Sequence, residues 1–180
     1  CASCATGFIS VAESSTCTAC SPGFFANVSG LTVCYDCDPG FVQPSRASQS
    51  CSSCVPGKYS SGRAASACVD CEVGRFANRS GLTACTPCSI GTFGSNTGKS
   101  GKRVGELKRR RIFVYSKIVL LGLSACVQCD EGTFTNNSES TGCDECVIGT
   151  FTDIKGTTQC RQCPQGTYGP SAGSLTCFVS

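Results

Sequence analysis

Residues 143–163 read CDECVIGTFTDIKGTTQCRQC, and this arrangement of two C-x2-C pairs around a short polar loop decides the fold. It recurs along the chain with a period of 17 residues and accounts for the 19 cysteines. The third residue after the second cysteine of each pair is glycine in all nine repeats. Such constancy indicates a backbone with positive φ, or one pressed against its neighbour. These glycines are Gly7, Gly23, Gly40, Gly57, Gly74, Gly91, Gly132, Gly149 and Gly166.

An aromatic residue stands two positions after this glycine in seven of the repeats. A unit of 17 residues is too short to bury a hydrophobic face by itself. We therefore expect one ring per unit, packed over a cystine and the neighbouring backbone, to form the core. We interpret these rings as structural and not as a ligand-stacking surface. They are Phe25, Tyr59, Phe76, Phe93, Phe134, Phe151 and Tyr168.

The segment between each glycine and the next cysteine is short and rich in Ser, Thr, Asn and Gly, as in GFFANVSGLTVC. This composition predicts two short strands around a turn. The predicted fold class is small and disulfide-rich, mostly β and loop. Its architecture is an elongated tandem array of about nine 17-residue repeats.

The composition argues against an enzyme. The chain contains no His, so a nucleophilic cysteine would lack its usual base. Nine equivalent pairs in polar loops also differ from the single reactive dithiol at a helix N-terminus that redox enzymes use. The exposed acids do not form a calcium-loop pattern. We therefore predict no catalytic residues, no cofactor and no bound metal.

The cysteines fit either disulfides or zinc sites, since C-x2-C pairs serve both. Three N-x-S/T sequons, at Asn27, Asn78 and Asn136, lie seven residues after the second cysteine of their repeats. Their common phase indicates one exposed face, and we predict glycosylation there. Dense cysteine beside in-phase sequons favours an oxidising compartment, and hence disulfides over zinc. The predicted location is extracellular or at the cell surface.

Two connectivities remain open for the disulfides. In a ladder, the second cysteine of each pair bonds the first of the next pair, which leaves Cys1 alone. The alternative groups the cysteines in fours, with first-to-third and second-to-fourth bonds. It leaves Cys163 without a partner unless the register shifts. We favour the ladder. Its bonds are Cys4–Cys17, Cys20–Cys34, Cys37–Cys51, Cys54–Cys68, Cys71–Cys85, Cys88–Cys126, Cys129–Cys143, Cys146–Cys160 and Cys163–Cys177.

The stretches GTFGSN, GTFTDIKG and CPQGTYGPSAGS make the repeat similar to the ephrin-receptor-like cysteine-rich repeat. It is also distantly similar to tumour-necrosis-factor-receptor modules, which use the fourfold grouping, and to EGF-type modules. The resemblance implies an extracellular spacer, adhesion or ligand-presenting region of a larger surface or secreted protein, whose partner is an unidentified protein or glycan. Two alternatives are the ectodomain of a signalling receptor with its catalytic domain elsewhere, and a protist-type surface-coat antigen.

Residues 99–122 interrupt the array, dividing the chain into repeats at 1–98, a basic and apolar insertion at 99–122, and repeats at 123–180. The insertion has eight basic residues and one acidic residue, which gives it a charge of +7. The rest of the chain has seven basic and eleven acidic residues, which gives it a charge of −4. The net charge of +3 thus reflects the insertion, and we expect no nucleic-acid partner. Its apolar part is too short to span a bilayer, so any membrane attachment would require segments outside this chain.

Deleting residues 99–122 should leave the fold intact, because the flanking pieces then join as a regular repeat, CSIGTFGSNTGLSACVQC. The entropy of closing a surface loop grows only logarithmically with its length, so the insertion should affect stability little. The measurement compares the melting temperatures and non-reducing peptide maps of the two proteins. A deletion protein that misfolds or lacks the Cys88–Cys126 bond would show that the insertion is a structural element.

Overall fold

The computed structural model describes residues 3–10, 16–95 and 124–179. Cys1 and the predicted insertion at 99–122 lie outside these residues. Within the described ranges the regular secondary structure consists of short β-strands. In chain order these are β1 Phe8–Ser10, β2 Cys17–Ala19, β3 Phe24–Phe25, β4 Tyr35–Asp36, β5 Phe41–Val42, β6 Ser52–Ser53, β7 Lys58–Tyr59, β8 Val69–Asp70, β9 Arg75–Phe76, β10 Thr86–Pro87, β11 Thr92–Phe93, β12 Val127–Gln128, β13 Thr133–Phe134, β14 Asp144–Glu145, β15 Thr150–Phe151, β16 Arg161–Gln162, β17 Thr167–Tyr168 and β18 Phe178–Val179.

Consecutive strands pair into nine antiparallel hairpins in the described chain, numbered here from hairpin 1 (β1 and β2) to hairpin 9 (β17 and β18). In hairpin 2, Phe24 lies opposite Asp36 and Phe25 opposite Tyr35. In hairpins 2 to 8 the second strand is the pair of residues between the two cysteines of a C-x2-C pair. A two-stranded hairpin is marginally stable in water by itself. The repeats depend on their covalent links and on stacking.

Backbone hydrogen bonds connect each hairpin with the next one along the chain. The amide of Gly23 in hairpin 2 donates to the carbonyl of Gln43 in hairpin 3, at 2.7 Å. The amide of Ala26 donates to the carbonyl of Ser48, at 3.0 Å. The same bonds join hairpins 6 and 7, where Gly91 donates to Thr135 at 2.9 Å. The array thus keeps its register from one side of the predicted insertion to the other.

A second set of bonds reaches two hairpins along. Ala47, in the turn of hairpin 3, donates its amide to the carbonyl of Cys20, which directly follows the second strand of hairpin 1, at 2.9 Å. Glu139, in the turn of hairpin 7, donates in the same way to Cys88 at 3.0 Å. The turn residues in this role all have positive φ. They are glycine in several hairpins, but Ala47, Ala64 and Glu139 adopt the conformation as well.

The constant glycine of a hairpin lies against the turn of the hairpin that is two places further along the chain. Gly23 has a φ of 87°, and a Cβ built there would lie closer than 3.0 Å to the carbonyl of Ala64. The glycines of hairpins 1, 3, 5, 6 and 7 meet an equivalent carbonyl. Both expected reasons for the glycine, positive φ and close approach, are therefore confirmed.

The interior consists of cystine sulfur and small side chains. The second cysteine of the pairs is buried from Cys4 to Cys146, and so are small residues six positions later, including Ala26 and Thr152. The aromatic rings are half-buried for the most part, although Val42 in that position is buried. The expectation that one ring forms the core of each unit is wrong. Hairpin backbones approach so closely that only small side chains fit between them.

Substituting the constant glycine separates backbone strain from steric clash. Gly149 has a φ of 82° but nothing within 4 Å of a built Cβ, whereas Gly62 has neither constraint. Gly149→Ala should lose about 1–2 kcal/mol from the left-handed conformation, and Gly23→Ala about 1–3 kcal/mol more from overpacking. Calorimetry of the oxidised proteins should rank the melting temperatures Gly62→Ala, Gly149→Ala, Gly23→Ala, from highest to lowest. Equal melting of Gly23→Ala and Gly62→Ala would contradict the close approach.

Candidate binding clefts between the hairpins

The structure brings the cysteines together in the ladder order. Each bond joins Cα atoms 5.7 or 5.8 Å apart, and Cys88–Cys126 keeps this geometry over a sequence separation of 38. One sulfur of most bonds is fully buried, which shields it from an attacking thiolate. The described residues contain no group of Cys, Asp, Glu or His that could hold a metal ion. These cysteines serve the fold.

Asn27, Asn78 and Asn136 are all exposed. Each follows the small residue that lies six positions after a cysteine, where the chain leaves the interior and enters the turn. In hairpin 2, Ala26 is 0% exposed and Asn27 follows it directly. The three asparagine side chains are therefore accessible to a modifying enzyme in the folded protein.

The aromatic residues face partners across their own hairpins. Phe25 and Tyr35 have ring centroids 5.8 Å apart, and Tyr168 and Phe178 are 6.4 Å apart. In hairpin 8 the partner is a cation, and the guanidinium of Arg161 lies 4.7 Å from the ring centroid of Phe151. The rings thus combine packing with a partly exposed surface, a role that the repeat pattern alone did not reveal.

Neighbouring hairpins form a cleft, and equivalent residues line it wherever it occurs. Between hairpins 1 and 2 it has a volume of about 370 Å³, with Ile9, Thr18 and Phe24 in its wall. Between hairpins 4 and 5 it has a volume of about 270 Å³, with Tyr59 and Arg75 in the corresponding positions. The repeat therefore fixes where the cleft lies, and the sequence of each unit determines its chemistry.

The cleft between hairpins 2 and 3, called cleft 2 here, has a volume of about 390 Å³. It combines aromatic and charged side chains contributed by three successive hairpins. Hairpin 2 supplies two rings and one carboxylate, and the residue after Cys37 supplies the second carboxylate. Hairpin 3 supplies a ring, and the turn of hairpin 4 supplies a guanidinium. The residues that line it include Phe25, Tyr35, Phe41, Asp36, Asp38 and Arg63.

Arg63 bridges the two carboxylates of cleft 2. Its Nε lies 2.9 Å from Asp36 Oδ2, and its Nη2 donates to Asp38 Oδ1 at 2.6 Å. Lys155 and Asp130 occupy the same two positions elsewhere in the array and lie 2.9 Å apart. The hydrogen bond to Asp130 and the nearby negative charges raise the pKa of Lys155. The pairing of a turn cation with the acid after a cysteine was not predicted, because the partners lie 25 residues apart.

The described residues include no helix that is long and apolar enough to cross a membrane. No curated protein matches the chain. The sequence profile of the family described as "Tyrosine-protein kinase ephrin type A/B receptor-like" matches residues 57–102 and 117–159. These two segments carry the glycines, half-buried rings and closing disulfides seen along the array. The matched segments belong to the ephrin-receptor-like cysteine-rich repeat family, as the sequence pattern predicted, and their hairpin recurs along the described residues.

Proposed function

We propose that this chain is an extracellular array that spaces and presents neighbouring domains of a larger surface or secreted protein and binds a protein or glycan ligand. The observation that carries the proposal is the continuous stack, in which each hairpin bonds the next and the next but one. Such bonding resists bending at any single junction, because two interfaces would have to open together. A stiff, closely linked array suits a spacer.

The extracellular location rests on the disulfides and the family. Nine bonds within one short chain persist only in an oxidising compartment. The matched family describes receptor-like repeats, and the three exposed sequons suit a chain that passes through the secretory pathway.

A binding role suits the chemistry of the array better than catalysis. The chain has no His, and the cysteines from Cys4 to Cys177 are held in disulfides. Several acids of the described residues form exposed ion pairs, such as Lys58 with Asp70 at 2.6 Å.

A second candidate is the ligand-sensing ectodomain of a signalling receptor whose catalytic domain lies outside this chain. The description of the matched family favours this candidate, since it refers to a receptor tyrosine kinase. Both candidates share the extracellular array and differ only in what the parent protein attaches to it.

Expression through a eukaryotic secretory pathway should yield a glycoprotein. Treatment with peptide-N-glycosidase should lower its apparent mass, and replacing Asn27, Asn78 and Asn136 by Gln should abolish that shift. Asn137→Gln is the matched control, since it changes an exposed asparagine but preserves the sequon. An unglycosylated product retained in the cell would contradict the extracellular assignment.

The spacer role predicts that the length of the molecule follows the number of repeats. Deleting residues 20–53 removes two repeats and joins Ala19 to Cys54, which preserves a C-x2-C pair. The maximum dimension measured by small-angle X-ray scattering should fall by about a fifth, because nearest-neighbour stacking makes length additive. The mutual contacts of the remaining hairpins should survive. An unchanged maximum dimension would contradict a linear array and the spacer role.

A further inference from the structure

Cleft 2 differs from the equivalent positions of the other repeats in its aromatic content. Its three ring positions hold Phe25, Tyr35 and Phe41, and the last two rings are 46% and 40% exposed. The same three positions hold Ile9, Thr18 and Phe24 one repeat earlier. Elsewhere in the sequence these positions hold at most two aromatic residues. The stacking of the repeats does not require three rings here, since the other clefts form without them.

Charge distinguishes cleft 2 further. Asp36 and Asp38 lie beside the rings and share the single guanidinium of Arg63, which leaves one negative charge. The Arg63 side chain is 63% exposed, and exposed ion pairs contribute little to stability. Arg63 can therefore leave the carboxylates at small cost when another cation competes for them.

From these features we infer that cleft 2 binds an arginine or lysine side chain from a basic segment of a partner protein. The inference deepens the proposed binding function and rests on it. Aromatic faces carry negative charge density, and carboxylates beside them add charge-assisted hydrogen bonds, so both surfaces favour a cation. The repeats outside residues 99–122 carry a charge of −4, which favours a basic partner at the array itself, although residues 99–122 bring the whole chain to +3.

The chain itself uses this chemistry in hairpin 8. The guanidinium of Arg161 lies 4.7 Å from the ring centroid of Phe151. Phe151 occupies the repeat position of Phe25, and Arg161 that of Tyr35. Arg63 shows in addition that a guanidinium reaches both carboxylates of cleft 2. A partner cation would combine these two modes of recognition in one place.

The test uses the full oxidised chain and short capped peptides observed by NMR. Acetyl-Gly-Arg-Gly-amide should shift the signals of Phe25, Tyr35 and Phe41 saturably in the millimolar range, and the neutral acetyl-Gly-Gln-Gly-amide should not. Raising the salt from 0.05 to about 0.5 M should weaken binding severalfold, because the Debye length shortens. Equal shifts with the neutral peptide, or saturable shifts only with chitotetraose or cellotetraose, would overturn the inference.

Variants with matched controls assign the binding to cleft 2. Replacing Asp36 and Asp38 by Asn should weaken it about tenfold or more. Glu145→Gln, which neutralises the acid at the repeat position of Asp36, should leave it unchanged. Tyr35→Ala should weaken binding severalfold, whereas Phe178→Ala, the aromatic in the same position of hairpin 9, should not. Equal losses in the variants and their controls would overturn the assignment.

The Arg63→Gln variant tests the inference independently, because the direction of its effect on peptide affinity is predicted. Removing the competing guanidinium should strengthen binding of the arginine peptide severalfold. Unchanged or weaker binding would mean that Arg63 does not compete with a cation, and the inference would fail. If the intact chain binds no arginine peptide, although it is glycosylated and its length follows the number of repeats, cleft 2 alone is rejected. The proposed array function would then stand without it.

Discussion

The contact between six of the constant glycines and the turn carbonyl two hairpins along is the constraint on which the rest of the structure depends. It excludes every side chain at that position, because a Cβ on Gly7, Gly23 or Gly40 would lie closer than 3.0 Å to backbone atoms. The same approach lets the turn residue donate its amide to a cysteine carbonyl. Backbone thus packs on backbone, and the buried side chains of the described residues are cystines and small residues, together with Val42.

An array built in this way has little hydrophobic core, and covalent closure compensates for it. Closing a loop of about 15 residues removes roughly 3 kcal/mol of conformational freedom from the unfolded chain, and most hairpins carry one such bond. The hydrogen bonds to neighbouring hairpins then satisfy backbone groups that a lone hairpin would expose. Each hairpin depends on its disulfide for closure and on its neighbours for burial.

The sequence was sufficient to predict the repeat, its hairpins and the role of the glycine, because these follow from spacing and residue type. It was insufficient for the core. A recurring ring such as Phe76 or Phe151 looks like the largest burial available, but how closely the hairpins approach is not visible in one repeat. The turn conformation of Ala47 and Glu139 was hidden for a related reason: their phase matches that of Gly30, yet their residue types do not suggest positive φ.

Cleft 2 was also beyond prediction, because three hairpins build it. Arg63 and Asp38 are 25 residues apart, and only the stacking of consecutive hairpins places them together. Once the stack is known, the positions that face a cleft can be read along the chain, and their chemistry varies while the glycine and cysteines stay fixed. The interior of each repeat is therefore constrained to a few small residues, whereas the cleft positions are free to change. Partner recognition can differ from one unit to the next without disturbing the array that holds the units in place.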